Sequence, residues 1–506
     1  MSNSSDKSGI KTYARKRTWT AMDKLLHIAG WALAGAQLAA SAVFCVFMHN
    51  IGMIPSSYEI LVGILLVMLA MLTLVTQHWK IPGIVTKIIS LIISTVLVVG
   101  CIYIGTTQKA VSNISGNNTH RSEIGVYVLK DNEAQSVQDL VDKTFGINQT
   151  TDRENTDAAI AEINERYECE IVTTEYSDSM SLVQGLYSKD VAAIILNQAY
   201  IDMITDDENY KDFEERTRII TTITYDREVI NGNNDDYLSG DGIFTMYISG
   251  IDTKGEPTVN RNSDVNIIMT VNTNTHQILL INTPRDFYVP TTVSGGVPDK
   301  LTHAGCYGID CSVGTLEMLY GINIDYYMKV NFTGFVDIIN LLGGVEVYSE
   351  IEFTAWNGGY HIMAGNNYLN GEQALGFARE RYAFGSGDRQ RGKNQMKVIK
   401  AVIDKMLSKD MLMNYSKILD AVSASMVTSM SYEEISALVK MQLNDMPSWD
   451  IQTYSVDGTG DNLPCYSLSS ANYVMIPTEE TVDLAKTYLA QIYANQVIDT
   501  TPEVQQ

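Results

Sequence analysis

Residues 264–285 read DVNIIMTVNTNTHQILLINTPR. Two apolar runs, 265–271 and 277–281, are joined by the short polar link 272–276, which is the pattern of a β-hairpin. Around the hairpin, runs with the spacing of strands alternate with runs that have the spacing of helices. The expected strands are 243–248, 326–330 and 345–348, and the expected helices are 312–320, 333–342, 370 or 371 to 379, and 393–407. This alternation predicts an α/β domain built around the hairpin.

A charged stretch follows at residues 378–395, which read ARERYAFGSGDRQRGKNQ. Its arginines are Arg379, Arg381, Arg389 and Arg391. The whole chain has a formal net charge of -23, so a local arginine cluster predicts a site for a small, highly charged anion such as a phosphate. A nucleic-acid surface would need a broad basic face, and none is expected. The alternative is a solvated helix face with i,i+4 ion pairs. Three glycines, the last of them Gly392, argue against it because glycine is expected to break the helix.

The N-terminal part of the chain contains three apolar runs, 25–48, 60–76 and 88–104. Each approaches the roughly 20 residues that are needed to cross a bilayer, which predicts a three-helix transmembrane anchor at 25–105. Lysine and arginine mark the cytoplasmic side of such segments. They precede the first run and lie between the second and third, whereas 49–59 has neither. We therefore expect a multi-pass protein of the cell membrane, with residues 1–24 in the cytoplasm and those after about 105 outside.

The outer part is expected to divide at two polar segments. The predicted parts are a linker at 106–122, a small α/β accessory domain at 123–228, a larger C-terminal domain at 240–494, and a disordered tail at 495–506. Within the accessory domain the expected strands are 124–129, 170–174, 191–196 and 219–224, and the expected helices are 136–145, 156–167 and 179–188. This domain shows no charged cluster, so a spacer or a docking domain is the favoured interpretation.

Two aspartates flank the strands next to the hairpin. Asp252 ends the strand before it, and Asp264 begins the hairpin itself. Carboxylates at strand ends near phosphate-binding arginines suit Mg²⁺, or alternatively Mn²⁺, because hard cations take oxygen ligands together with substrate phosphates. The alternative is that each aspartate is an ordinary turn or cap residue. Arg285 closes the hairpin and is expected to point along the sheet edge into a cleft, or else to form a surface salt bridge with Asp286.

The cysteines and one histidine leave further alternatives open. Cys306 and Cys311 lie five residues apart in the part expected outside the cell, where disulfides persist, so a small closed loop is one alternative and two free thiols the other. No pair of cysteines has the spacing of a metal-thiolate site. His303 is expected to have a structural or capping role rather than a catalytic one.

Several short motifs occur in a characteristic order. They are SGID at 249–252, RNSD at 261–264, PRD at 284–286, DKLTHA at 299–304, DYY at 325–327, LGGVEV at 342–347, ARER at 378–381 and DRQR at 388–391. In this order the chain resembles the LytR–CpsA–Psr family over about 244–407, and more weakly to about 494. Two departures affect local geometry. The usual Arg-Ser-Asp is one residue longer at 261–264, and the usual Arg-Gln-Gln is replaced by Arg391-Gly392-Lys393.

The resemblance implies a fold and an activity for the C-terminal domain. The implied fold is an α-β-α sandwich with a mixed central sheet, and an apolar pocket for a lipid tail between sheet and helices. The implied activity is a Mg-dependent phosphotransferase that moves a glycopolymer, such as teichoic acid or capsule, from a polyprenyl pyrophosphate to peptidoglycan, with a side pyrophosphatase activity. Implied partners are this lipid-linked polymer, the peptidoglycan acceptor, membrane lipids, and capsule or wall assembly proteins bound through the accessory domain.

The resemblance also implies roles for individual residues. The implied metal ligands are Asp252 and Asp264. The pyrophosphate would contact Arg285, Arg379, Arg381, Arg389, Arg391 and Gln395. Asp388 is the candidate general base, with Asp286 as the second choice, and Arg285, Arg379 and Arg381 would act with it in catalysis. The alternative function is a non-catalytic cell-surface binder or regulator of envelope assembly, which would have no need of paired aspartates among arginines.

Overall fold

The computed structural model describes residues 20–77, 79–229, 242–251, 256–385, 387–408, 425–468 and 470–500. The chain forms two compact units, Met1–Gly105 and Thr106–Gln506. The first three helices are α1 (Ala21–Asn50), α2 (Ser56–Thr76) and α3 (Lys80–Ile114). Each contains a stretch that is long and apolar enough to cross a membrane, as the sequence predicted. Helix α3 continues to Ile114 and the next strand begins at Thr119, so most of the predicted linker at 106–122 is regular structure.

The accessory domain is a five-stranded sheet covered by short helices. Its strands are β1 (Thr119–Leu129), β2 (Thr144–Asn148), β3 (Val172–Tyr176), β4 (Ala193–Asn197) and β5 (Thr217–Glu228). Its helices are α4 (Arg153–Arg166), α5 (Ser179–Tyr187), α6 (Ile201–Asp206) and α7 (Phe213–Arg216), with 3₁₀ turns at Val137–Leu140 and Gln198–Tyr200. The strand order is β3-β2-β4-β1-β5, in which β2 runs parallel to β3 and β4, and β1 runs antiparallel to β4 and β5.

One predicted helix of this domain, 136–145, is wrong. A capping box between Ser136 and Asp139 closes a single 3₁₀ turn, and the chain then enters strand β2. Phe145 and Ile147 of that strand are fully buried, because β2 lies between β3 and β4. The buried position in the sheet therefore overrides the local helical pattern.

The C-terminal domain places helices on both faces of a six-stranded mixed sheet. Its strands are β6 (Ile243–Ile251), β7 (Ser263–Asn272), β8 (Gln277–Asn282), β9 (Tyr288–Pro290), β10 (Pro298–Lys300), β11 (Tyr326–Asn331), β12 (Val345–Ser349), β13 (Phe353–Thr354), β14 (His361–Ile362), β15 (Gly365–Leu369), β16 (Met426–Thr428), β17 (Asp450–Ser455), β18 (Gly458–Pro464) and β19 (Ala471–Pro477). Its described helices are α8 (Leu301–Tyr307), α9 (Ile309–Tyr320), α10 (Phe332–Leu341), α11 (Gly371–Arg379), α12 (Asp388–Met406), α13 (Tyr432–Asp445) and α14 (Glu479–Tyr493).

The central sheet has the order β16-β11-β6-β7-β8-β17. The predicted hairpin is its antiparallel β7–β8 pair, while β6 runs parallel to β11 and β8 parallel to β17. One face, which includes Tyr247 and Leu279, packs against α8, α9 and α14. The other face, which includes Met246 and Leu280, packs against α12 and α13. The predicted α-β-α sandwich with a mixed sheet is therefore confirmed.

The accessory and C-terminal domains share a hydrophobic core. Tyr127, Leu182 and Tyr200 of the accessory domain cluster with Cys306 and Val474 of the C-terminal domain. An accessory domain that shares a core with its neighbour is not a loosely tethered spacer. The predicted boundary at 228–242 falls mostly outside the described residues.

The predicted disordered tail is wrong where the structure describes it. The side chain of Ile498 is 2% exposed and belongs to the core cluster on the α14 face of the central sheet. Its backbone N–H donates to the Gln277 Oε1 at 2.8 Å, and the Thr500 hydroxyl donates to Gln452 at 3.0 Å. This segment is mostly polar, but its one buried apolar side chain, Ile498, attaches it to the core. The rest of the predicted tail, 501–506, lies outside the described residues.

Replacing Ile498 with alanine tests this anchor. A buried isoleucine truncated to alanine lowers the free energy of unfolding by about 2–5 kcal/mol, because the removed atoms leave a cavity. The matched control is Val497→Ala, since Val497 is 82% exposed and its loss is expected to change stability by less than about 0.5 kcal/mol. Thermal and denaturant unfolding of the purified full chain measure both. Equal stability of the two variants would contradict the packing of the tail.

Candidate functional site

An apolar cavity of about 400 Å³ lies between the central sheet and its helices. This volume falls within the roughly 300–1,000 Å³ typical of small-molecule sites. Met246 and Met269 line it from the sheet, and Ile399 and Leu438 line it from α12 and α13. The apolar side chains along these elements leave almost no polar surface inside, so the cavity suits a hydrocarbon chain. The expected apolar pocket between sheet and helices is therefore present.

A few polar side chains interrupt this lining. They are Asn331, Arg379, Gln395, Thr428 and Gln442. The guanidinium carbon of Arg379 lies 4.7 Å from the ring centre of Phe332, an arrangement that holds the charge over an aromatic face. Gln395 is buried on α12. Because Asn331 ends β11 and is in register with Ile251 at the end of β6, Asn331 and Arg379 lie where the two parallel strands finish.

The chain turns between the first two arginines, and the expected end of the helix at Arg379 is confirmed. Helix α11 ends at Arg379, and Glu380 has an extended backbone with φ -69° and ψ 128°. Arg379 lines the cavity, whereas Arg381 is exposed and donates to the Tyr382 hydroxyl at 2.7 Å. Because the helix ends at Arg379, Arg381 does not take the position that a continued helix would give it. Their convergence on one anion stays a prediction.

Glu380 is a site residue that the sequence reasoning missed. Its side chain is 2% exposed, and its carboxylate accepts the backbone N–H groups of Trp356 at 2.6 Å, Tyr382 at 2.7 Å and Ala383 at 2.9 Å. A buried carboxylate is stable when several donors satisfy it. Glu380 thus ties the loop after α11 to the turn that contains Trp356. In the sequence, an acidic residue between two arginines suggests an ion pair. Nothing in the neighbouring residues indicates that its carboxylate binds backbone N–H groups instead.

The remaining charged residues lie at the start of α12. Arg389 pairs with Asp457, with 2.7 Å between Nε and Oδ1, and donates to the Gly458 carbonyl, so it is engaged away from the cavity. Arg391 lies four residues before Gln395 and therefore on the same face of the helix as this cavity-lining residue. Asp388 is the first residue of α12, and its side chain is outside the described part of the structure.

The expectation that Gly392 breaks the helix is wrong. Gly392 lies inside α12, and a β-carbon built there would stand 2.4 Å from the Asn282 Nδ2. The glycine therefore lets the helix approach the end of strand β8 closely. Its role depends on a residue more than a hundred positions earlier in the chain, which local spacing does not reveal.

A cluster of carboxylates surrounds Arg285 just beyond the end of β8. Its guanidinium lies 2.6 Å from Asp264, 3.7 Å from Asp286 and 4.0 Å from Asp206 at the end of the accessory helix α6. Lys300 approaches Asp286 to 3.8 Å. Burial alone would lower the pKa of Arg285, but the three carboxylates outweigh it and raise that pKa. We call the three carboxylates and their two cationic partners, Arg285 and Lys300, the carboxylate cluster. Asp206 is its unexpected member, because it comes from the accessory domain.

A β-bulge places Asp264. Gly250 is in register with Val265, but Ile251 is in register with Ser263, so Asp264 is an extra residue opposite β6. Bulges of this kind re-aim a side chain at the edge of a sheet. The extra residue in RNSD, relative to the usual family spacing, lies beside this bulge. The other predicted metal ligand, Asp252, lies outside the described residues.

The segment 256–262, which leads into the bulge, is held by the accessory domain. The backbone of Arg121 in β1 donates to the carbonyl of Thr258 and accepts from the N–H of Asn260. From strand β11, the buried Lys329 donates to the Val259 carbonyl at 3.0 Å. Burial, reinforced by the charge of Arg261, lowers the pKa of Lys329 to about 7. The accessory domain therefore shapes the chain between the two predicted metal ligands.

The carboxylate cluster fits a divalent cation by its charge. Three carboxylates stand against two cationic side chains, so the cluster itself has one negative charge in excess. No group of three or more His, Cys, Asp or Glu side chains in the described residues is arranged to hold a metal by itself. Mg²⁺ is commonly bound by one or two carboxylates together with substrate phosphates and water. Of the two predicted ligands the described residues include Asp264 alone, and its Oδ1 lies 2.6 Å from Arg285, so magnesium binding at this edge stays a prediction.

A buried histidine nearby is structural, as expected. His303 and Asp299 are fully buried, with 2.7 Å between the histidine Nδ1 and the carboxylate. The Ser467 hydroxyl donates to Asp299 at 2.6 Å. Burial opposes ionisation of Asp299, but His303 and the Ser467 hydroxyl outweigh it and lower its pKa. Because His303 and Asp299 are fully buried, neither can reach a substrate. Within the described residues Cys306 and Cys311 are free thiols, so the alternative of a closed loop is not observed.

Glu380→Gln tests the clamp between the two loops. A glutamine offers one acceptor oxygen and turns an N–H₂ group toward backbone donors, so at least one of the three N–H groups loses its partner, at a cost of about 1–3 kcal/mol. We expect faster amide hydrogen exchange at Trp356, Tyr382 and Ala383. The control is Glu372→Gln, because Glu372 is exposed in the first turn of α11. Unchanged exchange in the Glu380 variant would show that the carboxylate does not hold these loops.

Comparison with known proteins adds a family to this geometry. The LytR_cpsA_psr family model matches residues 204–489. The polyisoprenyl-teichoic acid–peptidoglycan teichoic acid transferase TagU of Enterococcus faecalis is 36% identical over 197 residues, which are 38% of this chain and 64% of the relative. The protein of the same name from Bacillus anthracis is 33% identical over 215 residues, which are 42% of this chain and 69% of the relative.

Among solved structures, the crystal structure of TagV from B. subtilis aligns with a TM-score of 0.43 and 27% identity, covering 51% of this chain and 99% of that one. The chain spans slightly less than two thirds of the Enterococcus relative. The family model, in contrast, covers more than half of this chain, from α6 to α14. The chain therefore belongs to the LytR_cpsA_psr family.

Proposed function

We propose that this protein transfers a glycopolymer from a polyprenyl pyrophosphate carrier to peptidoglycan at the outer face of the cell membrane. The observation that carries the proposal is the apolar cavity with Arg379 and Gln395 in its lining. A ligand that fits both parts needs a hydrocarbon chain and an anionic head. The relatives named teichoic acid transferases support teichoic acid as the polymer, with capsule and other wall glycans as alternatives.

The head group would bind at the sheet edge. Arg379 and Gln395 line the cavity there, and Arg391 lies on the same face of α12 one turn closer to the helix start. The N-terminus of α12 adds a favourable field for an anion, because backbone N–H groups at a helix start are unpaired. Arg381 would reach the same anion from the adjoining loop. Arg389 is the weakest member of the predicted set, since Asp457 already pairs with it.

The reaction is a displacement at phosphorus. The acceptor hydroxyl oxygen forms a bond to the phosphorus that carries the polymer, the bond to the carrier phosphate breaks, and the carrier leaves as a polyprenyl monophosphate. Arginines fixed in position stabilise the charge on the phosphate oxygens without reorganising. Water in place of the sugar hydroxyl would give the side pyrophosphatase activity.

The metal belongs at the carboxylate cluster in this proposal. Asp264, together with Asp252, would hold Mg²⁺ or alternatively Mn²⁺, and the bound ion would neutralise charge on the phosphate oxygens. Arg285 holds Asp264 at 2.6 Å and keeps its carboxylate at the sheet edge. The arrangement thus separates two tasks, since Arg379 contacts the head group while Arg285 orients the acidic side chain.

The proton of the acceptor hydroxyl needs a base. Asp388 remains the proposed one, because it begins α12 within the arginine stretch. Asp286 is less suited, since it is buried and has both Arg285 and Lys300 within 4.0 Å. Its carboxylate is therefore already engaged by two cationic side chains.

The proposal includes an arrangement in the membrane and partners for each part of the chain. Residues 1–24 would lie in the cytoplasm, the three helices would cross the membrane, and residues after about 105 would lie outside. The catalytic part would be 240–494. The accessory part, 123–228, would support the segment 256–262 and offer its outer surface to capsule or wall assembly proteins. Membrane lipids would surround the three helices.

Replacing Arg379 with alanine tests the proposed function. A charge-assisted arginine–phosphate contact contributes about 1.5–3 kcal/mol, so the transfer rate is expected to fall roughly ten- to a hundredfold. Arg379→Lys should restore only part of the rate, because an ammonium cannot hold two oxygens at once. The assay follows transfer from a polyprenyl-pyrophosphate-linked glycan to peptidoglycan by the full chain in detergent with Mg²⁺.

The control is Arg166→Ala, which removes an exposed arginine on α4 of the accessory domain. Thermal unfolding checks that each variant is folded. Transfer by a folded Arg379→Ala at the rate of the unchanged protein would remove Arg379 from the site. Binding of the lipid-linked glycan without any turnover in the unchanged protein would favour the alternative, a non-catalytic binder or regulator of envelope assembly.

A further inference from the structure

Two large aromatic side chains stand exposed beside the arginine loop. Trp356 is 72% exposed and Tyr382 is 60% exposed. Their ring centres are 5.4 Å apart with 60° between the ring planes. A single exposed aromatic residue is common on protein surfaces and needs no explanation. Two that contact each other while both remain open to solvent form a continuous apolar surface.

The pair is held in place by the backbone beneath it. Trp356 lies in the turn of the β13–β14 hairpin, where Phe353 packs against Phe377 of α11 and Phe384 of the following loop. Gly376 of α11 lets the turn approach, because a β-carbon there would stand 2.9 Å from the Asn357 carbonyl. The hairpin therefore rests on the same helix that ends in Arg379.

Glu380 fixes the two aromatic residues to each other and to the arginines. Its carboxylate accepts the N–H of Trp356 through one oxygen and the N–H of Tyr382 through the other. Arg381 lies between Glu380 and Tyr382 in the chain, its guanidinium carbon 4.8 Å from the Tyr382 ring centre. The buried Glu380 therefore holds both exposed rings in fixed positions next to Arg381.

We propose that Trp356 and Tyr382 form a binding platform for the sugar that is linked directly to the pyrophosphate. This inference rests on the proposed function, because it places the anion at Arg379 and Arg381. The Arg381 side chain contacts Tyr382, so a sugar bonded to a phosphate at that arginine would lie next to the aromatic pair. The electron-rich face of an aromatic ring attracts the C–H groups of a pyranose ring. The platform would therefore recognise the donor's first sugar and not its lipid.

The test compares two soluble probes, farnesyl pyrophosphate and farnesyl pyrophosphoryl-N-acetylglucosamine, on the full chain in nanodiscs. Binding counts as specific when Arg379→Ala weakens it. The unchanged protein should bind the sugar-bearing probe roughly three- to tenfold more tightly than the bare one, the size expected of one aromatic contact. Trp356→Ala should reduce this ratio towards one and leave binding of the bare probe unchanged, and Tyr382→Ala should also reduce the ratio.

Two further variants sharpen the comparison. Tyr382→Phe keeps the ring and removes the hydroxyl that accepts from Arg381, so most of the ratio should remain. The matched control is Tyr348→Ala, since Tyr348 is 56% exposed on strand β12, and the ratio should not change. These variants separate the ring face from the general effect of removing a surface aromatic residue.

The failures are distinguishable. If the unchanged protein binds neither probe specifically, the proposed function fails and the platform fails with it. If it binds both probes with equal affinity, or if Trp356→Ala keeps the ratio, the platform is wrong and the proposed function stands. If the ratio is kept while Trp356→Ala weakens binding of a soluble peptidoglycan fragment, the pair serves the acceptor, and assignment to the donor sugar is overturned.

Discussion

Burial of both faces of the central sheet is the constraint on which the C-terminal domain depends. All nine residues of β6 are buried, as are all six of β8. Side chains of successive residues point to opposite faces, so Met246 and Tyr247 contribute to two different cores. Neither β6 nor β8 contains a charged residue. The charged groups of the site lie instead at the edge where β6 and β11 end.

The two covered faces differ, and the difference creates the cavity. On one face, α8, α9, α14 and the segment around Ile498 pack closely on the sheet. On the other, α10, α12 and α13 enclose space lined by methionine, isoleucine and leucine. An apolar cavity lacks the dispersion contacts of a filled core, so the fold gives up stability there. A ligand tail that fills the space would restore those contacts.

The sheet edge is organised by a few specific devices. A bulge in β7 releases Asp264 from the ladder, and Arg285 holds it. The end of α11 divides Arg379 from Arg381, and the buried Glu380 fixes the loop that follows. The accessory domain takes part, because it holds the segment 256–262 and contributes Asp206. The apolar cavity and the charged edge are therefore adjacent and share residues such as Arg379.

Local pattern was enough to predict several of these features. The hairpin was predicted within two residues at each end, because apolar strands with a polar link have few other solutions. The helix from 370 or 371 to 379 was also expected, and α11 has these bounds. These features depend on neighbouring residues in the chain, which is the information that a single sequence carries best.

The misses all depend on distant contacts. Gly392 lies inside α12 because Asn282 leaves no room there for a β-carbon, and Ile498 is buried beside Gln277. The segment 136–145 contains a strand because β3 and β4 lie on either side of it. Each partner is remote in sequence, so neither periodicity nor charge spacing identifies it.

Photo-crosslinking tests the central claim most directly. A polyprenyl pyrophosphate with a diazirine on a distal isoprene unit would be bound to the full chain and activated by light, with an excess of unlabelled lipid as the competitor. The account predicts competed crosslinks on cavity residues of β7, α12 and α13, such as Met269, Ile399 and Leu438. Crosslinks confined to helices α1 and α2, with none in the cavity, would contradict it.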